Sequence, residues 1–158
     1  MGEGRTGGGG HGRRVERVPS ERRAAEALKP TRLALEALVA EIASRDRARA
    51  RAASIDVSYA NINLQFRYRP VTEVDTIRFE LWTRRALGDA LDGALGGVRS
   101  DLVTMEWIRD RFVHTVDPVT RTRIDTLVRD LGTAVVDHDL GAAAGTARAL
   151  RELVATIV

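Results

Sequence analysis

The amino-acid sequence predicts an all-α fold, a helical bundle of five to six helices over 20–158 that ends in an antiparallel helical hairpin. A disordered Gly/Arg-rich tail over 1–19 is expected ahead of it. Three observations carry this. Apolar residues recur at spacings of three and four along most of the chain after residue 20, the period of one helix face. The gaps between these stripes hold helix start and stop signals, clearest at Asp117-Pro118, an N-cap followed by the residue best tolerated at the first helical position. A chain of 158 residues with 44% hydrophobic, 30% charged and only 4% aromatic residues has the size and balance of one domain with a Leu/Val/Ile/Ala core.

The first nineteen residues hold seven glycines and no apolar periodicity, so they cannot offset the entropy of ordering. Ser20 is a candidate N-cap, and Pro30 is expected to break or kink the helix that follows. From a second start at Thr31, Leu35, Leu38, Val39 and Ile42 form one stripe on a helix reaching about Ala53. Segment 54–69 reads two ways. Ile55, Val57 and Tyr59 alternate as in a strand, while Ile55, Tyr59, Ile62 and Phe66 fit a helix stripe. The helix is preferred, because a lone hairpin without a glycine turn is marginal.

Pro70 stops that element, and Thr72 is a candidate N-cap for the next. Its expected buried line is Val74, Ile77, Leu81, Leu91 and Leu95, up to a stop at Gly96-Gly97, with Phe79, Trp82, Ala86 and Ala90 as a second line. Ser100 and Asp101 are expected to open a helix with Leu102, Met105, Ile108 and Phe112 inward. After Asp117-Pro118, Ile124, Leu127, Val128, Leu131 and Val135 face the core. A turn at 137–139 leads to Leu140, Ala143, Ala147, Leu150, Val154 and Ile157, with Gly141, Ala144 and Gly145 allowing close helix approach.

Composition excludes several chemistries. Zero cysteines remove disulfides, thiolate metal sites and cysteine nucleophiles. No apolar run approaches the roughly 20 residues of a membrane span. The GGGG at 7–10 lacks the strand and the Gly-Lys-Ser/Thr of a phosphate loop, and no GxSxG elbow occurs. The compartment reads as cytoplasmic as the sequence stands, or extracytoplasmic if an export signal lies upstream of Met1. Net charge is +3, divided as +5 over 1–51 and −2 over 52–158.

Four constellations merit scrutiny. All seven aromatics lie between Tyr59 and Phe112, mostly as core material, yet Arg67, Arg78, Trp82, Trp107 and His114 are the candidates for a ligand or partner groove. Glu106, Asp110 and His114 recur every four residues like half of a metal site, but too few partner ligands accompany them, and surface ion pairing explains them more simply. His138 between Asp137 and Asp139 is explained by turn chemistry. The arginines of the tail and at 45–51 suggest salt-sensitive nucleic-acid contact. No catalytic, cofactor or metal residue is assigned. The expected function is a small non-enzymatic helical binding or interaction module for an unknown protein or small ligand, without a membrane span and with oligomeric state open. A nucleic-acid-associated protein using the Arg-rich tail is the alternative, and a metal-binding helical bundle the second.

Overall fold

A computed structural model of the chain describes residues 20–157, so the expected tail over 1–19 lies outside the described residues. The described residues form six helices: α1 (Ser20–Ser44), α2 (Arg47–Gln65), α3 (Val71–Leu91), α4 (Leu95–Phe112), α5 (Pro118–Val136) and α6 (Leu140–Val154). A 3-10 turn, Val113–Thr115, joins α4 to α5. The all-α class stands, and 54–69 is helical up to Gln65 rather than a strand pair. Among the described residues, no helix is long and apolar enough to cross a membrane.

Helix α3 is central. It packs against α4 and α6 on one side and α2 on the other, α5 lies on α6 and α4, and α1 runs along α2. Two apolar clusters follow from this. The larger holds Phe79, Ala86, Val98, Met105, Ile108, Phe112, Ile124, Leu131 and Leu150 among others, all from α3 to α6. Its Phe79 and Phe112 rings sit 5.3 Å apart. Each of the larger of these side chains (Val, Leu, Ile, Met, Phe), fully buried, stabilises the fold by about 1.5–3 kcal/mol. The smaller cluster, Ile55, Ile62, Val74 and Leu81 with Phe66 and Ile77 beside it, glues α2 to α3. At the far end of that interface, Arg51 Nη1 donates to the Gly88 carbonyl at 3.1 Å and meets Asp92 Oδ2 at 2.8 Å. Its stem lies where a Cβ on Gly88 would need room.

The chain's own punctuation explains most boundaries. Asp117 Oδ1 accepts from the Val119 and Thr120 amides, and Asp139 Oδ1 from Ala142, so both expected N-caps form. Hydrogen bonding from the Thr120 side chain first, then from the Thr120 and Val119 amides, holds the Asp117 carboxyl below the usual range. His138 takes φ 58° in the turn between α5 and α6.

Five boundary or facing expectations are corrected. Pro30 lies inside α1 without ending it; on an exposed stretch the missing N–H costs one ladder bond, and the flanking turns carry the helix through. The helix expected to reach Ala53 stops at Ser44, because Arg45 adopts φ 60° and Asp46 caps a new helix by accepting from the Arg49 amide at 3.0 Å. Thr72 is not the N-cap of α3; Pro70 is, and the Thr72 carbonyl instead accepts from Thr76 Oγ1. Helix α3 ends at Leu91, turning through Gly93 at φ 79°, so Gly96-Gly97 and Asp101 fall inside α4. Leu91 is exposed and Leu95 half-buried in consequence. Gly141 and Gly145 face outward, so of the small residues expected at the α5–α6 contact only Ala144 is buried.

Candidate functional site

Along one face of α3, positions 75, 78, 82, 85 and 89 follow each other at spacings of three and four, and all but Trp82 are ionisable. Asp75 is fully buried between two arginines, with Arg111 Nε from α4 at 2.8 Å and Arg78 Nη1 at 3.4 Å. Arg78 also donates to Asn63 of α2, and its guanidinium lies over the Phe66 ring at 4.3 Å and the Tyr59 ring at 5.4 Å. Tyr59 meets Trp82 edge-on at 6.2 Å. Arg85 covers the other part of Trp82 at 4.8 Å and holds Nε 3.2 Å from Asp101 Oδ1. A continuous charged and aromatic seam thus joins α2, α3 and α4. Buried charges survive only when paired, so this seam fixes how the two flanking helices sit on α3.

Asp101 has the weakest partner in the seam, an ion pair without a hydrogen bond. It is fully buried on α4, and despite the nearby Arg85 neither carboxylate oxygen receives a hydrogen bond with acceptable donor geometry. Burial pushes its carboxyl up to about 7, Arg85 opposes this, and the charge of Asp89 adds to it. Asp89 is itself raised by burial, while the proton on Asp101 works in the other direction by hydrogen-bonding to it. One proton held by Asp101 and directed at Asp89 satisfies both groups, as in other close carboxyl pairs. The Asp89 carboxylate lies over the Cα of Gly97, where any larger residue would collide with it.

The structure brings Arg78 and Trp82 together, and reaches Trp107 only through Asp75 and Arg111, whose guanidinium stacks on the Trp107 ring at 4.6 Å. Trp107 is 56% exposed. Arg67 and His114 are exposed outside the seam, Arg67 in the turn after α2 and His114 in the 3-10 turn. Asp110 pairs with Arg109, and no cluster of three or more His, Asp or Glu among the described residues has the geometry to hold a metal ion. Open grooves lie elsewhere. One of about 470 Å³ between α5 and α6 is lined by Thr122, Arg123, Thr126, Leu127 and Glu152 among others. Another of about 460 Å³ is formed by the start of α3, Thr115, Val116 and Ile157. Sequence reasoning missed Asp75, Asp89 and Asp101. For Asp75 and Asp89 the visible signal was the three-four spacing of ionisable residues along one face of α3, whereas Asp101 on α4 carried none.

A second feature is the outer face of α1. Leu28, Leu35, Val39 and Ile42 are 46–66% exposed. The residues turned toward α2 are instead Ala27, Thr31, Ala34, Leu38 and Glu41, all half-buried. Of the apolar stripe read from the sequence, Leu35, Val39 and Ile42 are thus exposed and Leu38 alone is partly covered. Small residues suffice on the inner side because α1 and α2 form a close hairpin, which leaves the larger side chains outside. Compared with protein-family models, curated proteins and solved structures, the chain matches none.

Proposed function

We propose that the chain is a non-enzymatic protein-interaction module whose docking element is helix α1. The observation that carries this is the uncovered stripe Leu28, Leu35, Val39 and Ile42. Scattered exposed apolar residues are ordinary, but an aligned row on one helix is the pattern of a helix that completes its packing on another molecule. Its partner is an amphipathic helix with an apolar face of matching spacing. The seam on α3 supports the same reading, since its charged groups are engaged with each other across helices rather than gathered around an open cleft.

Photo-crosslinking from position 39, with position 148 on the exposed side of α6 as control, tests the assignment. Position 39 is expected to give adducts of discrete mass that disappear when Leu35→Glu is added, with the far-UV circular dichroism of the variant unchanged. Equal yields from both positions, or no adduct from position 39, would overturn it. Adducts that survive Leu35→Glu and vanish with Trp107→Ala would move the docking face to α4, where Val103 and Trp107 are also exposed one turn apart.

A further inference from the structure

We infer that the occupant of the α1 face is the α1 helix of a second copy of this chain, paired antiparallel about a two-fold axis near Leu35. The inference rests on the docking role given to α1 above and names its partner.

Three observations support it. The stripe has coiled-coil spacing: Leu28, Leu35 and Ile42 are seven apart with Val39 between, over about 21 Å of helix at 1.5 Å per residue. Its exposed area is on the order of 400 Å² per chain, the size of the largest apolar patch on a typical monomer. Doubled across a two-fold and widened by the alkyl stems of Lys29 and Arg32, it reaches the roughly 1,000 Å² that a specific interface requires.

Residues 1–19 carry Met1, Val15 and Val18 as their only large apolar side chains, too few to match a four-residue stripe.

Charge then selects the second copy and its direction. Exposed Lys29, Arg32 and Glu36 lie along the same edge of the stripe, basic toward the N-terminal end and acidic just past Leu35. In an antiparallel pair centred on Leu35, Leu28 lies opposite Ile42, and Arg32 and Lys29 of one copy face Glu36 of the other, twice by symmetry. A parallel pair would instead carry this edge to opposite sides of the seam, leaving Arg32 and Glu36 with no opposite charge from the same edge of the other copy.

Sedimentation of the full chain is the test. At about 100 µM, well above the dissociation constant of a stable dimer, the expected species has twice the 17.3 kDa chain mass. Leu35→Glu places two carboxylates against each other at the axis and is expected to give monomer with unchanged helicity. Glu36→Arg alone and Arg32→Glu alone are each expected to weaken association about tenfold or more, because the first makes the flank wholly basic and the second sets carboxylates against each other in both halves of the seam. An equimolar mixture of these two variants should form a heterodimer. Crosslinks from position 39 should map to residues near 31 of the other copy. A monomeric wild type, a dimer indifferent to Leu35→Glu, a mixture that stays monomeric, or crosslinks mapping to position 39 of the other copy would each overturn the inference. A monomer that still gives discrete adducts with another protein from position 39 sinks self-pairing and leaves the module reading intact; no adduct at all sinks both.

Discussion

Asp101 holds its proton well into the neutral range because α4 buries it with Asp89 beside it, and Arg85 only partly offsets the cost. The unfolded carboxyl has the ordinary value of 3.8, whereas the folded one lies at about 7. Between those values the native state keeps a proton that the unfolded chain has released. The contribution of Asp101 to stability is therefore full below about pH 4 and is lost as pH rises through about 7. Asp101→Asn keeps the shape and a donor toward Asp89 without the ionisation. Its urea midpoint is expected to be flatter than wild type between pH 5 and 8, and higher than wild type at pH 8, by about one to a few kcal/mol in stability. Parallel pH profiles for the two proteins would show that the proton resides elsewhere. None of this was legible in the sequence, where Asp101 after Ser100 reads as the opening of a helix. The lapse has a physical cause: Gly96 and Gly97 look like a stop, yet the left-handed turn is made at Gly93, and α4 starts one turn earlier than the Ser-Asp pair suggests.

At the scale of elements, periodicity and caps predicted an all-α chain of five to six helices but misplaced the α1–α2 and α3–α4 boundaries and did not tell the orientation of every stripe. Asp117 and Asp139 act through local hydrogen bonds, so the sequence alone placed α5 and α6. The stripe on α1 was equally visible, but a period of 3.6 states only that one face wants cover, not whether the same chain supplies it. The proposed groove of Arg67, Arg78, Trp82, Trp107 and His114 was legible in part. Arg78 and Trp82 share a face of one helix, whereas Trp107 joins them only through Arg111 and Asp75, contacts set by tertiary packing. Pro30 gives a prediction of this scale. Inside α1 it leaves the Glu26 carbonyl without its ladder donor, and among the described residues α1 packs mainly along α2. Pro30→Ala should slow amide hydrogen exchange across 31–44, by up to about 3 kcal/mol of local opening free energy, and leave α5 and α6 unchanged. Unaltered exchange in α1 would mean that its opening is governed by the α1–α2 contact instead.

The whole molecule has a four-helix core, α3 to α6, with the α1–α2 hairpin laid against it through the smaller apolar cluster. Charge is divided on similar lines, +5 over 1–51 and −2 over 52–158. Nucleic-acid binding, were it the function, would draw on the arginines of 1–19. Deleting those residues is expected to leave sedimentation and the α1 crosslinks unchanged, with no appreciable oligonucleotide affinity at physiological salt in either form. Tight, salt-sensitive binding by the full chain that the deletion abolishes would transfer the function to the tail. The arrangement also has a consequence for biosynthesis. Helix α1 leaves the ribosome before any part of the core exists, and among the described residues none of the later helices covers its outer face. At ordinary elongation rates the remaining 114 residues after Ser44 take on the order of ten seconds to make. For that interval the row of Leu28, Leu35, Val39 and Ile42 hangs from a nascent chain, and on a shared message the nearest matching surface is the same helix on the neighbouring ribosome.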